Sequence, residues 1–124
     1  MILVDTSVWI DHLRHGNHLL STLLERNRVL MHSMIIGELA CGSLKDRQVL
    51  LDLWGNLPAI PVVSDPEALY YLEHHQLMGK GIGYVDLHLL ASAAVSTAAA
   101  LWTNDKRLCR VANDLHVAFS DALQ

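Results

Sequence analysis

Ile2-Leu3-Val4-Asp5-Thr6-Ser7 begins as an unbroken apolar run and ends in a carboxylate and two hydroxyls. Met1 to Val4 therefore reads as a strand buried on both faces, which is how strands inside parallel sheets read. Val29 to Met31 and Ala100 to Trp102 repeat the pattern, and Thr103-Asn104-Asp105 follows the latter at once. Helix signals fill the intervals. Thr6 or Ser7 caps a helix through about Arg14, and Asn17 caps another from Leu19 to Arg26. Ser33 caps Met34 to about Cys41, with Gly42 near its end. A further helix runs from Asp46 to about Trp54 and closes at Gly55-Asn56. Asp65-Pro66-Glu67 opens one through His75, with Pro66 at a favoured first-turn position. Gly79 to Gly83 is a loop, Tyr84 to about Ala98 a long helix, and Lys106 to Ala112 the last one. Ile60 to Val63 reads as a short strand and Val117 to Phe119 as a final edge strand. This alternation predicts an α/β fold with a mainly parallel central sheet flanked by helices on both faces, in one domain over residues 1–124. Sites in such sheets gather beyond the carboxyl ends of the strands, where Asp5 and Asp105 fall.

At 124 residues the chain has room for one core and not for two. With 52% hydrophobic residues and a mean hydropathy of +0.26, it is excluded from the disordered class. The longest apolar stretch, Leu87 to Trp102, is interrupted by His88, Ser92, Ser96 and Thr97, so no membrane span is expected. No basic leader precedes the first apolar residues, and Cys41 and Cys109 have no metal spacing. Together these predict reduced core thiols in a cytoplasmic protein. The net charge of −4 argues against coating nucleic acid by bulk electrostatics.

Four acids stand where soluble domains place apolar or neutral side chains. Asp5 and Asp105 end apolar strands. Asp86 heads a stripe with Leu89, Leu90 and Ala93, and Glu38 sits mid-helix on the side of Met34, Ile35 and Cys41. Each has a bland reading as well. Asp5 serves as a turn residue and Asp105 as an N-cap, and Asp86 as a first-turn charge favoured by about 0.3–1 kcal/mol. What those readings leave unexplained is the set. Two like charges about 4 Å apart repel by about 4 kcal/mol at an effective dielectric of 20, so a fold that converges four of them suggests a cation. All-oxygen ligation points to Mg²⁺ or Mn²⁺. Zinc would want histidines or cysteines at ligand spacing. His74 and His75 are adjacent, while His12, His15 and His18 straddle a break at Gly16-Asn17. Lys106, Arg107 and Arg110, just after Asp105, are candidate RNA contacts or solvated surface charges.

The segments Asp5-Thr6-Ser7-Val8-Trp9-Ile10-Asp11, Ile35-Ile36-Gly37-Glu38-Leu39, Asp86-Leu87-His88-Leu89-Leu90-Ala91 and Thr103-Asn104-Asp105 resemble the four signature segments of PIN-domain ribonucleases. Chain length and segment order are similar to the toxin half of VapBC-type toxin–antitoxin pairs. The resemblance implies a metal-dependent endoribonuclease in which Asp5, Glu38, Asp86 and Asp105 are catalytic and bind Mg²⁺ or Mn²⁺. Asp5 and Asp86 would be the principal ligands. Glu38 and Asp105 would complete the pocket, and either is a candidate to orient the nucleophile. Ser7 and Thr103 would hold carboxylates by their hydroxyls, although Thr6 and Ser7 read equally as helix caps. His88 departs from the pattern, which carries an apolar residue there; it reads as a group supporting the ligands or facing RNA, or as a solvated or core histidine. The implied partners are RNA, a cognate antitoxin that can push an Arg or Lys into the pocket, and a second copy in a homodimer. Trp9, Leu13, Leu19, Leu20, Leu23 and Leu24 are candidates for such contacts or for plain core.

Two other classes share an acidic metal pocket. One is a phosphotransfer receiver domain, against which no central strand supplies an acceptor Asp after an apolar run. The other is a non-catalytic domain holding a structural ion. The RNA target, the cleavage position and the number of ions are not written in the sequence.

Overall fold

Strand β1 (Ile2–Val4) is buried along its length and lies between β2 (Val29–Leu30) and β3 (Ala100–Trp102). Both pairings are parallel. Ile2 lies opposite Val29 and Ala100, Leu3 opposite Leu30 and Leu101, and Val4 opposite Trp102. The structure, a computed structural model, describes residues 1–120. Parallel neighbours need crossovers, and helices supply them. α1 (Thr6–His15) and α2 (His18–Glu25) connect β1 to β2. α3 (Ser33–Ala40), α4 (Arg47–Gly55), α5 (Asp65–His74) and α6 (Tyr84–Val95) connect β2 to β3, and α7 (Lys106–Asp114) follows. The α/β architecture with a parallel sheet is thus the one expected.

Several local expectations need correction. Ile60 to Val63 is not a strand. The pairing sits upstream as one bridge between Met31 and Ala59, with Met31 N–H donating to the Pro58 carbonyl at 2.8 Å and Ile60 N–H to the Met31 carbonyl at 2.9 Å. Pro61 has no N–H to continue a ladder. Val117 to Phe119 pairs where expected, but again as a single parallel bridge, Leu101 to Ala118. The long helix stops at Val95, not Ala98, because Ser96 turns to extended backbone. The cap of α1 is the Asp5 carbonyl, which accepts from Val8 and Trp9 N–H, and not the side chain of Thr6 or Ser7. Asn17 caps α2 by accepting from Leu20 N–H at 2.9 Å. The α3 cap is His32 instead of Ser33, its Nδ1 accepting from Met34 N–H at 3.0 Å. Ser64 and Glu67 form a reciprocal capping box at the start of α5.

The core is one buried cluster built from both sheet faces and the helices against them, including Leu3, Val8, Leu20, Ile35, Leu89, Leu90, Leu101 and Leu108. Fully burying each such side chain contributes about 1.5–3 kcal/mol. Trp9 and Trp54 meet edge to face, with ring centroids 5.9 Å apart. Trp9, Leu20 and Leu23 are therefore core. Leu19 and Leu24 pack partly buried against it, and Leu13 alone of the six is exposed. The thiols are not core: Cys41 is exposed and Cys109 half-buried, and both are free. No helix among the described residues is long and apolar enough to cross a membrane.

Candidate active site

The parallel register of β1 and β3 delivers Asp5 and Thr103 side by side at the carboxyl edge of the sheet, where Asp5 N–H donates to the Trp102 carbonyl at 2.9 Å. Asp5 is buried, and its carboxylate makes no capping bond to α1. Two hydroxyls reach the same oxygen instead: Ser7 Oγ donates to Asp5 Oδ2 at 2.7 Å and Thr103 Oγ1 at 2.8 Å. Both hydroxyls also accept, Ser7 from Asn104 N–H and Thr103 from Asp105 N–H, each at 3.0 Å. The Thr103 hydroxyl therefore ties the Asp5 carboxylate to the backbone of Asp105. Asp105 is exposed and caps α7 through Oδ1, which accepts from Leu108 N–H at 3.0 Å.

The other two acids come from helices. Asp86, half-buried in the first turn of α6, accepts from Gly83 N–H through Oδ2 at 3.0 Å. Glu38 on α3 accepts from Thr6 Oγ1 through Oε1 at 2.7 Å. It is exposed, not core-facing as its neighbours in sequence imply. Burial pushes the Asp86 carboxyl above its ordinary range. The Gly83 bond works against that, and the charges of Asp5, Asp105 and Glu38 raise it further. The charges of the other three acids thus all reach Asp86.

Among the described residues no Lys, Arg or His forms an ion pair with these four acids. The ion pair found among the described residues, His88 with Asp65 at 2.9 Å, lies outside the set. The donors are all oxygen, which suits a hard divalent cation. Among the described residues, however, no three acid, histidine or cysteine side chains stand close enough to enclose an ion by themselves. An ion that retains several waters, as Mg²⁺ does, fits that spacing better than one demanding a full protein cage.

Two surfaces flank the acids. Lys106, Arg107 and Arg110 are exposed on α7. Lys106 and Arg110 line an open cleft with Thr103, Asn104, Asn113 and Asp114. Arg107 turns the other way and lies on the Gly79–Gly83 loop. Gly81 has φ +81°, which side chains rarely adopt, and a Cβ there would meet Arg107 Cδ at 2.7 Å, so a substitution would strain the backbone and displace the arginine. On the opposite side Ile10, Leu13, Leu39 and Leu50 line a groove of about 340 Å³ between α1, α3 and α4, with Glu38 and Arg14 in its wall.

Sequence reasoning singled out His88 but missed the partners it and its neighbours meet behind α6. His88 is buried, and its Nε2 meets Asp65 Oδ1 at 2.9 Å. His32, also buried, meets Ser92 Oγ through Nε2 at 3.4 Å. Asp65 reads from sequence only as a helix opener. No side-chain pattern announces His32, because histidine is not among the usual caps.

Residues 2–114 match the PIN domain. Ribonuclease VapC32 of Mycobacterium tuberculosis (strain CDC 1551 / Oshkosh) is 46% identical to this chain over 121 residues, which is 98% of each. The protein of the same name from Mycobacterium tuberculosis (strain ATCC 25618 / H37Rv) gives the same identity and coverage.

Proposed function

The chain belongs to the PIN-domain family, and on that premise we propose that it is a Mg²⁺- or Mn²⁺-dependent endoribonuclease acting as the toxin of a toxin–antitoxin module. What supports this reading is that the charges of Asp5, Glu38 and Asp105 all reach Asp86, while no ion pair to any of the four is formed among the described residues. The relatives' name, ribonuclease, supports the reaction class. Asp5 and Asp86 are the principal ligands in this reading, with Glu38 and Asp105 completing the pocket. A bound divalent ion supplies Lewis-acid polarisation of a phosphoryl oxygen and a coordinated water of lowered pKa.

The chain's own groups do the rest. Ser7 and Thr103 fix the Asp5 rotamer, and Thr6 fixes Glu38. One oxygen of Asp105 is committed to capping α7, which leaves the other to face the nucleophile. Glu38, exposed at the rim, is the other group able to orient an attacking water. Four carboxylates repel an RNA phosphate until their charge is offset, so substrate entry and ion binding are linked. Lys106, Arg107 and Arg110 hold neighbouring phosphates.

The partners follow from the flanking surfaces. The apolar groove beside Glu38 accepts an antitoxin segment with apolar anchors and a basic residue directed at the acids. A homodimer would use exposed apolar side chains, of which Leu69 and Tyr70 on α5 and Val95 on α6 are candidates. The setting is cytoplasmic, where the RNA is. The test is cleavage of structured RNA by purified protein with Mg²⁺ or Mn²⁺, with chelator, and with Asp5→Asn. Cleavage is expected to need the ion and to fall at least about 100-fold in Asp5→Asn. Full-rate cleavage by Asp5→Asn would discredit the assignment. Acetyl-phosphate labelling of an aspartate would favour the receiver alternative.

A further inference from the structure

Tyr84, His88 and Ser92 recur at every fourth residue of α6 and so form one stripe, turned roughly 200° from Asp86 when counted from either Tyr84 or His88. A helix face packed inside a protein is ordinarily apolar, yet His88 and Ser92 are both fully buried. Each member of the stripe bonds outside its helix. Tyr84 Oη donates to Asp65 Oδ1 at 2.6 Å, and His88 Nε2 meets the same oxygen at 2.9 Å. Asp65, itself largely exposed, thereby joins the first two turns of α6 to the first turn of α5. The Tyr84 and His88 rings stand edge to face, with centroids 4.7 Å apart. Further along, Ser92 Oγ accepts from Val63 N–H and meets His32 Nε2, both at 3.4 Å. The His32 ring then reaches the first turn of α3, the helix that carries Glu38, by accepting from Met34 N–H.

This seam is not what stability alone would select. His88 Nδ1 is buried with no hydrogen-bond partner among the described residues. An apolar side chain of similar size would avoid that cost. What the seam does fix is direction. Side-chain tips lie about 5–6 Å from a helix axis, so a rotation of roughly 10° carries one through about 1 Å. Misplacing a reacting group by about 1 Å can lower a rate by about 100-fold.

We propose that the Asp65–Tyr84–His88 clamp, continued by Ser92 and His32, is a positioning device that sets the rotation of α6 and so aims the Asp86 carboxylate at the other three acids. His88 is a positioning residue, and the inference rests on reading those acids as the metal-dependent centre. It assigns work to three side chains on the far side of the helix from the chemistry.

The test compares wild type with His88→Leu, His88→Gln, Tyr84→Phe and Asp86→Asn in the full chain. The readouts are the Mn²⁺ dissociation constant by calorimetry without RNA, kcat and KM for RNA cleavage, and Tm. His88→Leu is expected to weaken Mn²⁺ binding and to lower kcat, each by about 10-fold or more, with KM for RNA unchanged and Tm not lowered. His88→Gln keeps a donor for Asp65 and should recover much of the loss. Tyr84→Phe removes one hydroxyl from a partly exposed residue, so it reads the clamp even if His88→Leu does not fold. If Asp86→Asn abolishes Mn²⁺ binding while both seam variants keep wild-type affinity and kcat, the seam has no such role. A His88→Leu loss that follows a fall in Tm, and that Gln does not recover, also overturns it. If Asp86→Asn leaves Mn²⁺ binding intact, the reading of the centre itself fails.

Discussion

Acidification should unfold this protein in part through one residue, His32. Its ring is fully buried, with 0% exposure, and is committed as an acceptor at Nδ1 to Met34 N–H. Burial, and secondarily the charge of His88, lower its pKa from 6.5 to about 4. Protonation would put a second donor against the amide that the ring now caps. The displacement, 6.5 minus about 4, is about 2.5. At about 1.4 kcal/mol per unit this sets an upper limit of about 3 kcal/mol, which water near the ring would lower. The sign follows from proton counts. Between pH 6.5 and about 4 the unfolded chain holds a proton on this histidine that the folded one does not. Stability is therefore whole above pH 6.5 and declines as the pH falls through about 4. His32→Asn retains a capping oxygen but cannot titrate. Urea unfolding of both proteins from pH 7 to pH 4 should show wild type losing up to about 3 kcal/mol more than the variant. At about 4 °C per kcal/mol for a domain of this size, the extra fall in Tm approaches about 12 °C. Two stability curves that stay parallel across the range would refute the reasoning.

The acid cluster makes its own stability prediction. Asp86 is held above its ordinary pKa by burial and by its three acidic neighbours, so its ionised form is a burden on the folded state that is relieved as pH falls. In chelator at pH 7, Asp86→Asn should raise Tm, by less at lower pH, and saturating Mg²⁺ should shrink or reverse the gain. Thermal melts with and without ion check this, and equal shifts in both would count against a shared site. Thr103→Val removes the hydroxyl shared by Asp5 and Asp105 N–H. It should lower stability by about 1–3 kcal/mol and cleavage by about 10-fold, read by denaturant titration and initial rates. Removing the charges of Lys106 and Arg110 should weaken RNA binding and flatten the slope of log K against log salt by about 0.7 per residue for a single strand. An unchanged slope would mean that neither touches phosphate.

Much of this geometry was legible because strand ends are legible. An apolar run terminated by Asp5, and another terminated by Thr103-Asn104-Asp105, places those groups at one sheet edge as soon as the strands are parallel. Asp105 also shows that a bland reading and a functional one can hold together, since it caps α7 while standing in the acid cluster. Glu38 was harder. Helical spacing put it with Met34 and Ile35, but α3 leaves that side open at the rim of a groove, and only tertiary packing decides this. Edge strands failed for a related reason. Ile60 has the side chain of a strand residue, whereas the bridge it flanks is limited by Pro61 and by what Met31 presents. The histidines behind α6 were invisible as a group because their partners lie 23 to 60 residues away in the chain.

Every acid in the cluster is gripped by a donor of the protein itself: Glu38 by Thr6, Asp5 by Ser7 and Thr103, Asp86 by the Gly83 amide and Asp105 by the Leu108 amide. The freedom of those side chains is surrendered when the chain folds, not when a cation arrives. Swapping one divalent species for another should accordingly proceed without any hinge or rearrangement. If the cluster holds a divalent ion as proposed, discrimination between ions would fall to ionic radius and to the grip each keeps on its own hydration shell.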